Sequence, residues 1–437
     1  MALRIVSNNP VASKIFMIGL IVLALMIPLT MLSGLISERT QMRDQAYSTV
    51  AEGWGGRLTT GGPMLRIPFE TSQKNKEGEV IVTQHQLYVL PTDLNIEAQI
   101  EQEPEPRHVG IYQVPVYQVR LKMRGSFDGA AVAGAASYAG TYHWGQAKLR
   151  LPLSDARSVR ELVGARFGAS DLKFGPAAPG VYPAIEADID LASALPADRT
   201  GFNLEIKLAG SQGLSLLPLA AVTNVKMSST WPHPQFHGAF LPAEHSISDK
   251  GFNASWQVLE LNRQFRQSWT NLEVSDTQLL GSAFDVELFQ SVDVYQRSER
   301  AVKYALMFIA LTFLSFYAWE MLSAVAIHPM QYLLVGLALS TFYLLLIALT
   351  EHLEFWIAYW IGAVALIALL STYIAGAMQS HRRGFIVATM MSMVYGLLYM
   401  LVLSESYSLL MGAIALFVVL AVVMLATRHV KWYASEA

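Results

Sequence analysis

The sequence contains no cysteine. That absence excludes disulfides, Cys-based zinc sites, thiol nucleophiles and Fe–S clusters together. Charge is scarce as well: Asp, Glu, Lys and Arg make up 15% of 437 residues, against about a quarter in soluble domains. With 53% hydrophobic residues and a positive mean hydropathy, part of the chain must have lipid as its solvent. Neither sign of charge dominates, and a formal net charge of −3 gives no electrostatic case for nucleic acid. The glycines at Gly53–Gly56 and Gly61-Gly62 lack the Gly-Lys-Ser/Thr of a phosphate loop, and no strand pattern precedes them. No Gly-x-Ser-x-Gly turn or penicillin-binding motif set is found either. No cofactor is expected.

What the chain does have is long apolar runs. Tyr304–Trp319 and Tyr332–Leu349 are separated by Ile327-His328-Pro329-Met330-Gln331. Proline disfavours a helical residue before it and suits the first turn of a new helix, so the break reads as a tight connection in a membrane hairpin. Ile15–Ile36 is apolar and longer than the core of a cleaved leader, and Ser33-Gly34-Leu35 is a poor cleavage site. It reads as an uncleaved signal anchor. Three further spans are expected at Phe355–Met378, Phe385–Leu403 and Leu409–Ala426. Basic residues near spans mark the cytoplasmic side. Arg4, Lys14, Arg382, Arg383, Arg428 and Lys431 share one side if there are six spans, and the acids Glu351, Glu354 and Glu405 take the other. Both termini are then cytoplasmic.

Between the first span and the second, no run is long enough to cross a bilayer. The polar stretch Glu38–Tyr47 has no Gly or Pro and should extend the first helix. Period-two alternation then dominates: Val119–Met123, Ala147–Leu151, Ile185–Leu191, Phe202–Leu208, Phe252–Val258 and Phe284–Leu288. One-sided alternation fits antiparallel strands with one buried and one wet face. Turns are expected at Lys74–Gly78, Gly125–Gly129 and Gly175–Gly180, and one or two short helices near Asp155–Val163. The expected architecture is a six-helix transmembrane region with a large antiparallel, β-rich, sandwich-like periplasmic domain between spans 1 and 2. The divisions are 1–36 (cytoplasmic N-terminus and anchor), 37–300 (periplasmic domain) and 301–437 (spans 2–6 and cytoplasmic tail).

Few side chains in this pattern point to chemistry. Glu320 is the one carboxylate inside a predicted span, near the inner interface, where Arg382, Arg383 or Lys431 could meet it. With His328 and Gln331 it forms the candidate polar site of the membrane region. Trp231, Pro232, His233, Pro234, Phe236 and Phe240 form the densest aromatic and proline cluster, a candidate partner-binding loop or exposed surface. His233 and His237 have helical ligand spacing, but the prolines oppose a helix and no third ligand is near, so no metal site is assigned. Glu101/Glu103 and Asp188/Asp190 are spaced for solvated strand faces rather than a glycosidase pair. The Ala358-x-x-x-Gly362 spacing allows close helix contact and so a homo-oligomer.

Ser229-Thr-Trp-Pro-His-Pro-Gln-Phe236, continued by Phe240-Leu-Pro-Ala243 and Gly251-Phe252, resembles the CreD family of inner-membrane proteins, as do His328–Leu337 and Phe342–Leu346. Arg300–Ala305, Ala310–Phe313 and the Trp432-Tyr433 tail fit as well, so the resemblance covers nearly the whole chain; Phe127–Val181 matches it weakly. The resemblance implies a Gram-negative inner-membrane protein associated with envelope integrity, under two-component control and linked to colicin tolerance. It brings no established catalytic residue. The function expected is thus non-enzymatic: membrane lipids around the spans, and an unidentified envelope protein or cell-wall or outer-membrane component on the β domain. The alternative is a transporter or lipid-handling protein using Glu320 and His328; a periplasmic hydrolase has no motif in its favour.

Overall fold

The computed structural model describes residues 10–404 except 75–78, 138, 181, 195–198, 271–272, 289–293 and 324–326, with isolated positions between 410 and 425. Two compact units are present: Met1–Arg43 with Val292–Ala437, and Asp44–Ser291.

The first unit is helical. Helix α1 runs Pro10–Trp54, because the polar Glu38–Tyr47 stretch offers no helix breaker after the apolar run; Pro28 lies inside it. Helices α2 (Val294–Ser323), α3 (Pro329–Thr350), α4 (Phe355–Ala377) and α5 (His381–Leu403) follow. Among the described residues, five helices are long and apolar enough to cross a membrane. The sixth expected span, Leu409–Ala426, lies for the most part outside the described residues. Small residues set the packing. A Cβ on Gly336 of α3 would come 2.3 Å from Leu25 of α1 and 2.9 Å from Phe313 of α2. Ala358 is fully buried, and a Cβ on Gly362 would lie 3.2 Å from Phe342. The Ala358-x-x-x-Gly362 spacing therefore serves the α3–α4 contact inside the chain, and it gives no argument for a homo-oligomer.

The second unit is β-rich. Its eight-stranded sheet runs, edge to edge, Ser170–Asp171, Val159–Phe167, Arg199–Ser211, Val116–Asp128, Asp93–Gln102, Val222–Ser229, Gly251–Leu259, Glu244–Ser248. A second sheet runs Phe174–Pro176, Ala184–Asp188, Lys148–Pro152, Met64–Lys74, Val80–Val89, Ser268–Thr270, with Thr141–Tyr142 beside Met64–Lys74. A four-stranded sheet of Leu58–Gly61, Gly213–Leu217, Phe284–Leu288 and Pro234–Gly238 joins them. Alternate residues of all three meet in one core: Leu94, Ile96, Leu121, Leu204 and Ile206; Leu65, Ile67, Leu87 and Leu149; Leu214, Leu216 and Phe284.

Pairing is not purely antiparallel. Leu58–Gly61 runs parallel to Leu214–Leu217, and Asp93–Ile100 parallel to Val222–Ser229. One local expectation also fails, and a second holds only in part. Gly125 is not a turn but sits within Val116–Asp128, where a Cβ would come 2.1 Å from the Asp93 carbonyl oxygen. Close backbone approach, not chain reversal, requires that glycine. Near Asp155–Val163 the only helical piece is the 3₁₀ turn Ala156–Ser158; the β-branched and alternating residues after it form a strand.

Arg150, expected on a wet strand face, is 2% exposed. The loop after Pro176 covers it: its Nη1 donates to the Ala178 carbonyl (2.9 Å) and to Glu186 (2.6 Å). Arg66 pairs with the same carboxylate at 2.8 Å, so one acid satisfies two buried cations. Breaking such a set by removing one partner is costly because a charge is left uncompensated in low dielectric.

Strand faces predict a contrast between neighbours. Leu204 is buried, whereas Glu205 stands on the wet face, no closer than 3.9 Å to Arg120 and Lys122. Leu204→Ala is expected to destabilise the β unit by about 2–5 kcal/mol, and Glu205→Ala to change it little, because surface pairs contribute about 0–1 kcal/mol. Thermal unfolding of the purified full chain checks this; equal shifts would overturn the face assignment.

Candidate functional site

Glu320 lies one turn before the end of α2 and is mostly buried. Three donors from different parts of the helical unit converge on it. Lys14 of α1 pairs with Oε1, the main-chain N–H of Ile327 donates to Oε1 at 3.2 Å, and the Tyr332 hydroxyl of α3 donates to Oε2 at 3.1 Å. The cationic partner is thus Lys14; Arg382 at the start of α5 is exposed, and Lys431 lies outside the described residues. Pattern reading put Glu320 near the inner interface and Lys14 on the same side, but it did not pair them, since nothing in a sequence shows which helix packs beside α2.

A second ion pair marks the other end of the apolar run in the same helix. Arg39 Nε of α1 lies 3.1 Å from Glu351, just after α3. Lys14 and Arg39 are 25 positions apart, about 37 Å along a helix axis. The apolar run Ile15–Ile36 lies between them, and a hydrocarbon core is about 30 Å thick. The two pairs therefore lie at opposite ends of that apolar run, and Glu320 stands beside its Lys14 end.

His328 and Gln331 do not join Glu320 as a polar site. His328 caps α3: its Nδ1 accepts from the Met330 N–H at 3.2 Å, and its own N–H donates to Gln331 Oε1 at 3.0 Å. This reciprocal cap satisfies amide groups that a helix start leaves open, with Pro329 at the first helical position. The imidazole is used locally and the residue is exposed.

Sequence reading passed over a cluster of phenols. Tyr343 (α3), Tyr359 (α4) and Tyr395 (α5) are all buried around Phe342. The Tyr359 hydroxyl donates to the Tyr395 carbonyl at 2.6 Å, whereas the Tyr343 hydroxyl has no partner among the described residues. The available clue was depth: each tyrosine lies four to eight residues from the helix end that faces the Glu351–Glu354 or Ser404 turn.

In the β unit the Trp231–Phe240 segment holds one short strand, Pro234–Gly238, with non-strand chain on either side of it, and its aromatic residues are buried or half-buried rather than an exposed surface. Pro234–Gly238 pairs with Phe284–Leu288 at the edge of the four-stranded sheet. Trp231 belongs to the core, with its indole N–H donating to the His233 carbonyl at 3.2 Å. Phe236 sits edge-on to Phe252 and Trp256, and Phe240 meets Phe284. Pro232 and Pro234 are half-buried, which leaves His233, Gln235, His237 and Ala239 as the exposed side chains. His237 lies 3.6 Å from Glu287. Among the described residues, no three His, Asp or Glu side chains converge as metal ligands would.

The segment itself lines no part of the cleft on the eight-stranded sheet, and touches it only through Phe236, a neighbour of His245. Phe236 packs on His245 at 5.8 Å, and His245 helps line this cleft of about 500 Å³ on the wet side of the sheet. Glu97, Gln99, Lys226, Glu244 and Asn253 furnish its side chains. An amide ladder continues the surface: Gln257 donates to Asn224 and Asn224 to Asn95, each at 3.2 Å. Glu103 accepts from Gln118 at 2.6 Å and Asp188 pairs with Lys148 at 3.0 Å, so these carboxylates are engaged on their own strand faces. Elsewhere in this unit burial lowers the Arg263 guanidinium to about 10, and the Arg157 side chain holds Asp155 below the usual carboxylate range.

The comparisons with known proteins cover nearly the whole chain. Residues 10–433 match the family described as inner membrane protein CreD. Inner membrane protein CreD of Escherichia coli (strain K12) is 30% identical over 431 residues, covering 94% of this chain and 92% of the relative. Membrane-spanning helices, a β-rich unit and a match over nearly the full length lead to one conclusion: the chain belongs to the CreD family of inner membrane proteins.

Proposed function

We propose that this inner membrane protein supports cell-envelope integrity without catalysing a reaction, and that its β unit binds an envelope component. In this reading both termini are cytoplasmic, six spans are present, and residues of about 37–300 lie in the periplasm. The observation that carries it is the cleft beside Lys226: a solvent-open floor of carboxylate, amide and ammonium groups on a rigid sheet, suited to a polar partner rather than a buried small molecule. Glu320 is in this reading a structural acid, which neutralises Lys14 where α1, α2 and α3 meet. A transporter would need such a group exposed to a path near the midplane, and the ion pairs at the two ends of the Ile15–Ile36 run support a position at a span end instead.

Three outcomes are expected. Because the chain has no cysteine of its own, single cysteines report topology cleanly. Lys250→Cys should react with an impermeant maleimide in cells with a permeabilised outer membrane, and Arg382→Cys should react only after lysis; the reverse pattern would sink the topology. Glu320→Gln removes the charge but keeps an acceptor for Tyr332 and Ile327, so insertion and envelope phenotype should persist. Lys14→Gln combined with it should cost no more than the larger single effect, since both remove one pair. A well-inserted Glu320→Gln protein that behaves like a deletion would favour transport instead. A benzophenone amino acid replacing Lys226 in the full chain should yield an adduct with an envelope component in intact cells, whereas one replacing Glu205 on the same sheet should not. Failure to form any adduct from Lys226 would remove the cleft as the binding surface.

A further inference from the structure

Sheet edges expose main-chain donors and acceptors, and proteins usually blunt them with charge, proline, burial or brevity. Most edges here are blunted. Ser170–Asp171 is two residues long, Phe174–Pro176 ends in proline, and Pro234–Gly238 starts with one. Leu58–Gly61 is buried throughout, and Glu244–Ser248 carries an acid at its start.

The Val80–Val89 strand differs. Ser268–Thr270 covers its free edge only from Leu87 to Val89, and a turn closes at Glu273, whose N–H donates to the Thr270 carbonyl. Among the described residues, Val80–Gln86 has no strand on that side. The uncovered sequence, Val-Ile-Val-Thr-Gln-His-Gln, contains no formal charge and no proline, and four of its seven residues are β-branched. Val80, Ile81 and Val82 are 58%, 53% and 53% exposed. Register along Met64–Lys74 is regular, without a bulge to twist the edge away.

The direction of the free groups follows from one bond. The Leu90 N–H points across this edge, donating to the Gln267 carbonyl at 2.9 Å. Main-chain groups alternate sides along a strand, so Val80, Val82, Gln84 and Gln86 also present N–H and C=O outward. We propose that this edge pairs antiparallel with the same edge of a second copy, about a two-fold axis at Thr83. In that register Val80 faces Gln86 of the second copy and Val82 faces Gln84, so every outward-pointing residue of both strands is hydrogen-bonded. The pairing stops where Leu87 is already occupied by Thr270. An uncharged segment lets two identical strands approach without like-charge repulsion, and self-complementarity is what an isologous interface requires. Both copies share one membrane, which raises their effective concentration. This interface is independent of the cleft and of what the cleft binds.

Thr83 and its mate form the non-hydrogen-bonded pair at the axis, with Cα atoms about 4.5 Å apart, within reach of a disulfide. Full-length chain carrying Thr83→Cys, oxidised in native membranes, should give a disulfide-linked dimer at least about tenfold more abundant than Lys250→Cys gives, because Lys250 is an exposed turn residue off this edge. Adding Gln84→Pro removes an outward N–H that the hairpin itself does not use, and should lower the linked fraction about tenfold, the factor that one hydrogen bond's net contribution carries. Gln84→Thr keeps the N–H and should leave linkage intact, which separates loss of pairing from loss of folding. Absence of linkage in inserted Thr83→Cys protein, equal linkage from Lys250→Cys, insensitivity to Gln84→Pro, or an adduct to a different protein would each overturn the proposal.

Discussion

The helical unit depends on how its first helix is held. Ile15–Ile36 gives lipid no specific contact to grip, and between apolar helices in a bilayer there is little hydrophobic driving force. Position must therefore come from polar groups at the ends and from close packing between them. Lys14–Glu320 fixes one end and Arg39–Glu351 the other. Midway, Leu25 enters the space that Gly336 leaves beside Phe313. A side chain at 336 would push α1 off α3, and both ion pairs would lose their register. The extra donors on Glu320 follow from the same constraint: a mostly buried carboxylate costs free energy unless each oxygen is met.

The β unit meets a different constraint, since without disulfides only burial and hydrogen bonding hold it. It fuses three sheets into one core, and it tolerates a buried Arg66–Glu186–Arg150 set where a loop folds over a strand face. At the start of this unit Trp54 is sandwiched between the guanidinium groups of Arg107 (4.2 Å) and Arg160 (4.3 Å), and Arg160 also donates to its carbonyl. Cations on both ring faces fix the indole more specifically than apolar packing would.

Element type was legible wherever a period ran uninterrupted. Phe202–Leu208 and Val119–Met123 read as strands because each alternates without a break, and they pair with each other, Leu204 opposite Met123. Partnership between distant segments was not legible. Nothing local tells that Asp93–Ile100 runs parallel to Val222–Ser229, or that Lys14 rather than a loop arginine meets Glu320. Burial by a loop was equally hidden: Arg150 and Lys148 occupy equivalent positions in an alternating strand, yet only Arg150 is roofed over. Trp231 illustrates the opposite error. Flanking prolines and histidines suggested an exposed loop, but a neighbouring strand at Phe284–Leu288 pairs with Pro234–Gly238, Trp231 enters the core, and Phe236 and Phe240 pack against it.

The Val80–Val89 strand joins these two themes. Its inner half earns its apolar residues by packing: Leu87 and Val89 belong to the core, and Tyr88 stacks on Trp269. Its outer half keeps the same β-branched character after the core has ended, with Val80–Val82 more than half exposed. Exposed positions on the paired strand are polar by contrast: Ser72, Gln73 and Lys74 stand opposite Val82, Ile81 and Val80. Solubility alone would favour polar residues on both strands of a projecting hairpin. An asymmetry confined to the strand whose edge is free follows more simply if that edge is covered, because the residues flanking a paired edge are the ones that cross-strand packing rewards.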